Sequence, residues 1–308
     1  MSAGDTEEPA SRCGFVALIG APNAGKSTLV NQLVGQKVAI VTHKVQTTRA
    51  RLRGIALHQS SQIVLVDTPG IFEPARLLDR AMVEAAWEGA GDADQVVLVA
   101  DARQGLNEEN ERIIAGLKES GRAAILALNK IDLIKREALL EVTQRFTESF
   151  AFSDVFLVSA QTGDGVEDLK AHLAASMPEG PWLYPEDQIA DFPQRMLASE
   201  VTREKLFLRL HQELPYASTV ETESWKVNKD GSLRIEQVIF VERESQRKIV
   251  LGKGGQTIKA IGAAARKELE AMLNARVHLF LFVKVREKWS EDPERFRQMG
   301  LQLPLDKS

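Results

Sequence analysis

The 308-residue chain has a single cysteine, Cys13, which excludes an internal disulfide. Its five histidines lie far apart, with no partner at metal-ligand spacing, so a zinc site of the histidine–cysteine kind is excluded as well. No run approaches the roughly 20 consecutive apolar residues of a membrane-spanning helix, and the first twelve residues carry no apolar stretch of the kind that directs secretion. These absences together point to a reducing, cytoplasmic compartment. A dominant charge is lacking too: 39 Lys and Arg stand against 43 Asp and Glu, and the net −4 argues against a nucleic-acid protein. That average hides an asymmetry. Residues 199–290 carry 17 Lys and Arg against 12 Asp and Glu, a net +5, which leaves −9 for the remainder.

What is present is ordinary globular material, 44% hydrophobic and 27% charged, enough for two domains at about 150 residues each. Apolar runs at 15–19, 51–57, 63–67, 96–101, 123–129 and 155–159 read as strands, and segments 26–34, 77–88, 107–118, 136–150 and 166–177 have helical spacing. Such alternation predicts an α/β domain, a mostly parallel sheet covered by helices on both faces. Four prolines between 178 and 193, with Gly180 and several acids, break the pattern and mark a linker. Beyond it come a helix at 199–211, a strand pair at 219–227 and 233–241 turning through Lys229-Asp230-Gly231, two short helices around Gly252 to Gly255 and a strand at 278–288, which make an α+β module. The expected division is a disordered tail at 1–13, the α/β domain at 14–177, a linker at 178–198, the α+β domain at 199–290 and a tail at 291–308 in which 291–300 forms a closing helix. Cys13 reads as a small residue at a strand start.

Directly after the first strand stands Gly20-Ala21-Pro22-Asn23-Ala24-Gly25-Lys26-Ser27, with Thr28 continuing into the helix; this is the phosphate-loop pattern GxxxxGK[ST] in its required strand-to-helix setting. Its glycines let successive backbone N–H groups point at phosphate, Lys26 reaches the β and γ phosphates, and Ser27 is a ligand for Mg²⁺. The base is read from Asn129-Lys130-Ile131-Asp132 after another apolar strand. The Asp132 carboxylate accepts from the ring N–H and exocyclic amine of guanine, donors that adenine lacks on that edge, and the Lys130 stem covers the ring. Asp67-Thr68-Pro69-Gly70 ends a third strand, with the Asp67 carboxylate near the metal and the Gly70 N–H near the γ phosphate, and Ser159-Ala160 offers backbone contacts to the guanine oxygen. In the basic module, Gly252-Lys253-Gly254-Gly255 is a GxxG loop between helices, flanked by Arg247, Lys248 and Lys259; glycine permits close approach of an RNA backbone and lysine supplies charge.

In their order and spacing these motifs resemble the translation-factor-related GTPases, and among them the Era family, in which a GTPase domain is followed by one KH domain of the prokaryotic type. The resemblance runs from about residue 14 to residue 289. It implies that Gln46-Thr47-Thr48-Arg49 is the first switch, whose threonine completes the Mg²⁺ shell; Thr48 is assigned, with Thr47 as its competitor. It also implies GTP and GDP as ligands, hydrolysis of GTP, binding of 16S ribosomal RNA near its 3′ end during assembly of the small (30S) subunit, and a loose association with the inner face of the cell membrane; the chain is read as a monomer. Where Ras-like GTPases place a water-orienting glutamine after Gly70, this chain has Ile71, so no general base is named. In related GTPases with GxPNxGKS the asparagine helps coordinate a monovalent cation, which makes K⁺ at Asn23 a second expected cofactor; the alternative is that Asn23 simply tolerates an unusual loop conformation after Pro22. The competing function is a constitutive RNA-binding adaptor whose GTP is structural.

Overall fold

The structure, a computed structural model, describes residues 10–302 apart from 46, 50, 212–213 and 290–291. Most of the expected tail at 1–13 and the end of the expected tail at 291–308 lie outside the described residues. Contacts divide the chain into two compact units: the first holds the chain through Ala39, Thr48–Glu73 and Met82–Asp191, and the second holds Ile40–Thr47, Pro74–Ala81 and the chain from Phe192 onward.

The first unit is a seven-stranded sheet flanked by helices. Its elements are β1 (Arg12–Ile19), α1 (Lys26–Val34), β2 (Leu52–His58), β3 (Ser61–Asp67), α2 (Leu77–Asp92, which belongs to this unit from Met82 onward), β4 (Gln95–Asp101), α3 (Glu108–Ser120), β5 (Ile125–Asn129), α4 (Arg136–Ser149), β6 (Val155–Val158), α5 (Val166–Ser176) and β7 (Ala190–Asp191). Strand order is β6-β5-β4-β1-β3-β2-β7, parallel except that β2 runs against β3 and β7 against β2. Four successive β1 residues, Val16, Ala17, Leu18 and Ile19, are fully buried, as a central strand covered on both faces requires. On one face Ala17, Ile19, Leu98, Leu126 and Leu128 pack with Ile113, Ile114 and Leu117 of α3 and Phe146 of α4. Consecutive connections leave β1 toward β3 on one side and β4 on the other, so a crevice opens at its carboxyl end.

Local chemistry sets the element ends. The Asn107 side chain accepts the Asn110 N–H at 3.0 Å and caps α3, acids Glu108, Glu109 and Glu111 occupy the positive end of its dipole, and Gly121 closes it in the left-handed conformation. Two boundaries differ from the sequence reading. Arg12 and Cys13, given to the tail, open β1, where Arg12 pairs with Ser61 and donates to the Met177 carbonyl. Within the linker, β7 pairs with β2, where Arg53 donates to the carboxylate of its register partner Asp191 at 3.3 Å; a two-residue strand is too short to show a period in the sequence.

The second unit contains α6 (Gln194–Arg209), β8 (Ser218–Val227), β9 (Leu233–Val241), α7 (Glu244–Leu251), α8 (Gln256–Leu273), β10 (Val277–Val285) and α9 (Pro293–Gln298). The order α-β-β-α-α-β is the expected one, with β9 between an antiparallel β8 and a parallel β10. Its core joins Leu206 and Phe207 of α6, Val220, Ile239 and Val241 of the sheet, Val250 of α7 and Ile261 of α8. Here α6 begins five residues before the expected 199, and α8 is a helix of 18 residues rather than a short one. Ile261, Ala265 and Leu269 keep an apolar stripe running along α8 well past the loop, which is why it continues.

Candidate functional site

The loop between β1 and α1 wraps on glycines. At Gly25 the backbone is left-handed, φ 100°, and a Cβ there would lie 2.2 Å from Asn129 Nδ2. That close approach lets Asn129 donate from Nδ2 to the Ala24 carbonyl at 2.9 Å, while its Oδ1 accepts the N–H of Lys130 at 2.8 Å and of Ala160 at 2.9 Å. Asn129 thus fastens the phosphate loop to both segments expected to meet the base. Ser159 Oγ donates to Asp132 Oδ1 at 2.6 Å, aligning the carboxylate. Ser159 enters by its side chain as well as by position, and Ala160 by its backbone, so the dipeptide does more than the backbone contacts expected of it.

At the phosphate end, Lys26 donates to the carbonyls of Gly20 at 2.9 Å and Ala21 at 3.0 Å. Burial lowers its pKa to about 8 even though the charges of Asp67 and Glu109 pull the other way. Burial raises the Asp67 carboxyl above its ordinary value, opposed by the Ser27 hydrogen bond, the Lys26 charge and the Thr48 hydrogen bond. Ser27 Oγ stands 2.9 Å from Thr48 Oγ1 and donates to Asp67 Oδ2 at 2.7 Å, and Thr48 Oγ1 lies 3.3 Å from the same Oδ2. Asp67 Oδ1 is buried with no hydrogen-bond partner among the described residues. Two hydroxyls and a carboxylate therefore converge, a hard oxygen set that fits Mg²⁺. Thr47 is turned elsewhere: its hydroxyl pairs with Thr42 Oγ1 at 2.6 Å and donates to the Lys44 carbonyl, and its own carbonyl accepts from Arg203.

Thr68 Oγ1 anchors the segment after β3 by donating to the Leu18 carbonyl at 2.7 Å; past Pro69, a Cβ on Gly70 would lie 3.0 Å from Pro22, and the Ile71 N–H donates to the Gly20 carbonyl. Ile71 itself is buried. Asn23 has positive φ, 60°, and is exposed, and its carbonyl accepts from Lys130 Nζ at 2.6 Å. Thr28 stands half-buried in the first turn of α1.

In the second unit the GxxG loop lies between α7 and α8. Gly252 has φ 71° and a Cβ there would meet Thr257 Oγ1 at 2.2 Å, while Gly254 and Gly255 also take positive φ. Lys248, Lys253, Gly254 and Lys259 are exposed. Arg247 departs from that set, since its guanidinium donates to the Val283 carbonyl and pairs with Glu244 at 2.8 Å, tying α7 to β10.

Sequence reasoning passed over Asp101 and Arg103. Asp101 closes β4 opposite Asn129 in register, its carboxylate buried, accepting from Arg103 and Lys130. The available signal was an acid ending an apolar strand, as Asp67 does.

Comparison with known proteins agrees with both halves. The family described as 50S ribosome-binding GTPase matches residues 15–130, and the KH domain family matches residues 213–290. The GTPase Era of Afipia carboxidovorans is 65% identical over 296 residues, covering 96% of each chain, and that of Rhizobium meliloti is 63% identical over 294 residues, covering 96% of this chain and 94% of the relative. The chain belongs to the Era family of GTPases. Two solved Era structures match it at 36% identity, each covering 94% of this chain and 99% of theirs: an Aquifex aeolicus variant bound to GDP·AlF4⁻, with a TM-score of 0.89, and Era in complex with MgGDPNP and nucleotides 1506–1542 of 16S ribosomal RNA, with a TM-score of 0.90. In the Era frame, the nucleotide end lies in the first unit and the KH module, with the element order described above, in the second.

Proposed function

We propose that this Era-family GTPase uses GTP hydrolysis as a timer for the hold of its KH module on 16S ribosomal RNA in the assembling small subunit. The observation that carries the nucleotide half is the bond from Asn129 to Ala24, which joins the guanine segment and the phosphate loop into one unit. Asp132, aligned by Ser159, accepts the two guanine donors, with the Lys130 stem over the ring. Ala160 meets the base oxygen. Lys26, held in the loop by the Gly20 and Ala21 carbonyls, neutralises the β and γ oxygens as charge develops in the transition state, and the Gly70 N–H donates to the γ phosphate. Ser27 and Thr48 would hold Mg²⁺, with Asp67 beside them; the ion supplies charge neutralisation of the phosphates. The exposed Lys248, Lys253, Gly254 and Lys259 support RNA contact at the GxxG loop, with Gly252 and Gly255 shaping it.

K⁺ at Asn23 fits the absence of a glutamine after Gly70, and the positive φ of Asn23 fits the turn reading equally. Cytoplasmic work as a monomer and peripheral contact with the inner membrane face follow from the family resemblance; no helix among the described residues is long and apolar enough to cross a membrane. The structural-GTP adaptor reading is favoured by one observation, the buried Ile71, which has no group to orient water. Phosphate release over many turnovers, with and without a 16S 3′ fragment, separates the two. Sustained release that the RNA changes supports the timer, and bound GTP that persists in both conditions supports the adaptor.

A further inference from the structure

We infer that Asp101, which lies outside every motif, is a positioning residue for guanine binding: its carboxylate holds the Lys130 ammonium so that the lysine stem is already aligned where the base stacks. The inference rests on the reading of 129–132 as the guanine segment. Asp101 and Asn129 end adjacent strands as register partners, so the acid reaches Lys130 from β4 while the lysine comes from the end of β5. Asp101 Oδ2 lies 2.7 Å from Lys130 Nζ, and the Asn23 carbonyl lies 2.6 Å from it on the phosphate-loop side. The ammonium therefore bridges β4 and the loop, and its stem is held at both ends, since the Lys130 N–H is fixed by Asn129 Oδ1 and its backbone takes φ 66°. A free lysine stem samples many rotamers, and binding a base would have to freeze them. Here the carboxylate has frozen them beforehand.

Arg103 completes the device. Its backbone N–H and Nε donate to Asp101 Oδ1 at 3.0 and 3.2 Å, and its Nη2 to Oδ2 at 2.8 Å, fixing the plane of the carboxylate and leaving Oδ2 aimed at Lys130. The Asp101 side chain is 2% exposed, so this ion pair is poorly screened by solvent. The turn that follows β4 is made by the Asp101 backbone carbonyl, which accepts from Gln104 and Gly105, so the turn does not need the side chain's charge.

The test is a double-mutant cycle in the full chain. Asp101→Asn keeps size and one acceptor but removes the charge, and GDP and GTP should both weaken by ~10-fold, equally because the defect is at the base end, with the loss falling on KM rather than kcat. Lys130→Met should weaken them at least as much, and adding Asp101→Asn to it should cost under ~2-fold more. Arg103→Ala loosens the plane of the carboxylate but keeps its charge beside Lys130, and should weaken GDP by less than Asp101→Asn does. Losses that multiply in the double variant, an Arg103→Ala loss as large as that of Asp101→Asn, or Asp101→Asn within twofold of the parent would overturn the inference. Should Asp101→Asn not fold, Asp101→Glu, which keeps the charge but displaces it by one methylene, carries the same cycle with the same criteria. If the parent chain itself binds ADP as well as GDP, the guanine reading fails instead, and the two failures are distinct.

Discussion

Asp132, the proposed acceptor for guanine, is held by Ser159, 27 residues further on, which donates to one of its carboxylate oxygens at 2.6 Å. Replacing it by Asn leaves one acceptor and adds a donor that opposes the guanine N–H. Asp132→Asn is expected to weaken GTP by ~100-fold and to improve xanthosine triphosphate, as competition against a fluorescent nucleotide would measure. Asn23 makes a second residue-scale prediction. If it ligates K⁺, turnover in K⁺ should exceed that in Na⁺ by ~10-fold at equal ionic strength, and Asn23→Ala should erase the difference; equal rates leave it a turn residue. A third prediction concerns pH. Burial alone would raise the Asp101 carboxyl, yet the hydrogen bonds from Arg103 and Lys130 and the Lys130 charge outweigh it and hold the group below its ordinary 3.8. A value lower when folded than when unfolded means that its contribution is complete above 3.8 and is lost only as the pH falls through the lower, folded value. The Asp101 tether should therefore contribute no change in GDP affinity between about pH 7 and pH 5, which equilibrium titration of the parent and Asp101→Asn chains would show as a constant ratio.

At the scale of elements, short stretches of sequence decide where helices start and what they present. Asn107 caps α3 through the Asn110 N–H, and this helix packs Ile113, Ile114 and Leu117 onto the sheet behind the site. Asn107→Ala should cost about 1 kcal/mol, visible as faster hydrogen exchange along α3, with GDP affinity unchanged. The loop between α7 and α8 is ordered by positive φ at Gly252, Gly254 and Gly255 and leaves Lys253 and Gly254 exposed. Putting Asp at both 253 and 254 places two negative charges where RNA phosphates would pass. RNA affinity should fall while GDP binding persists, and an unchanged RNA titration would remove the loop from the interface.

For the whole molecule, the division of charge matters more than its sum. The chain is −4 overall, but residues 199–290 are +5. Counterions released from RNA phosphates make binding to such a module strongly salt-dependent, whereas hydrogen bonds to a neutral base release no counterions. RNA affinity is expected to fall by ~10-fold or more between 50 and 200 mM KCl while GDP affinity changes much less. Filter binding and nucleotide fluorescence on one preparation would measure both.

Much of this was legible in the chain itself. The phosphate loop, the 129–132 segment and the GxxG loop depend on local backbone freedom and on side chains close in sequence, and period-2 and period-3.6 patterns carry strand and helix identity because burial on one face imposes them. The long α8 was underestimated because glycines near its start mask a stripe that only becomes clear at Ile261, Ala265 and Leu269. Strand β7 left no trace because its two residues, Ala190 and Asp191, are too few to show a period. Neither twin threonine could be preferred from residue type, and the fold separated them by distance: Thr48 meets Ser27 and Asp67, and Thr47 meets Thr42. Asp101 was equally silent, an acid at a strand end like many others, until parallel pairing set it opposite Asn129 and within 2.7 Å of Lys130. Sequence by itself determined the chemistry of contiguous motifs, since their residues share one loop. Tertiary structure alone decided which distant side chains share a charge, because strand order and register place them side by side.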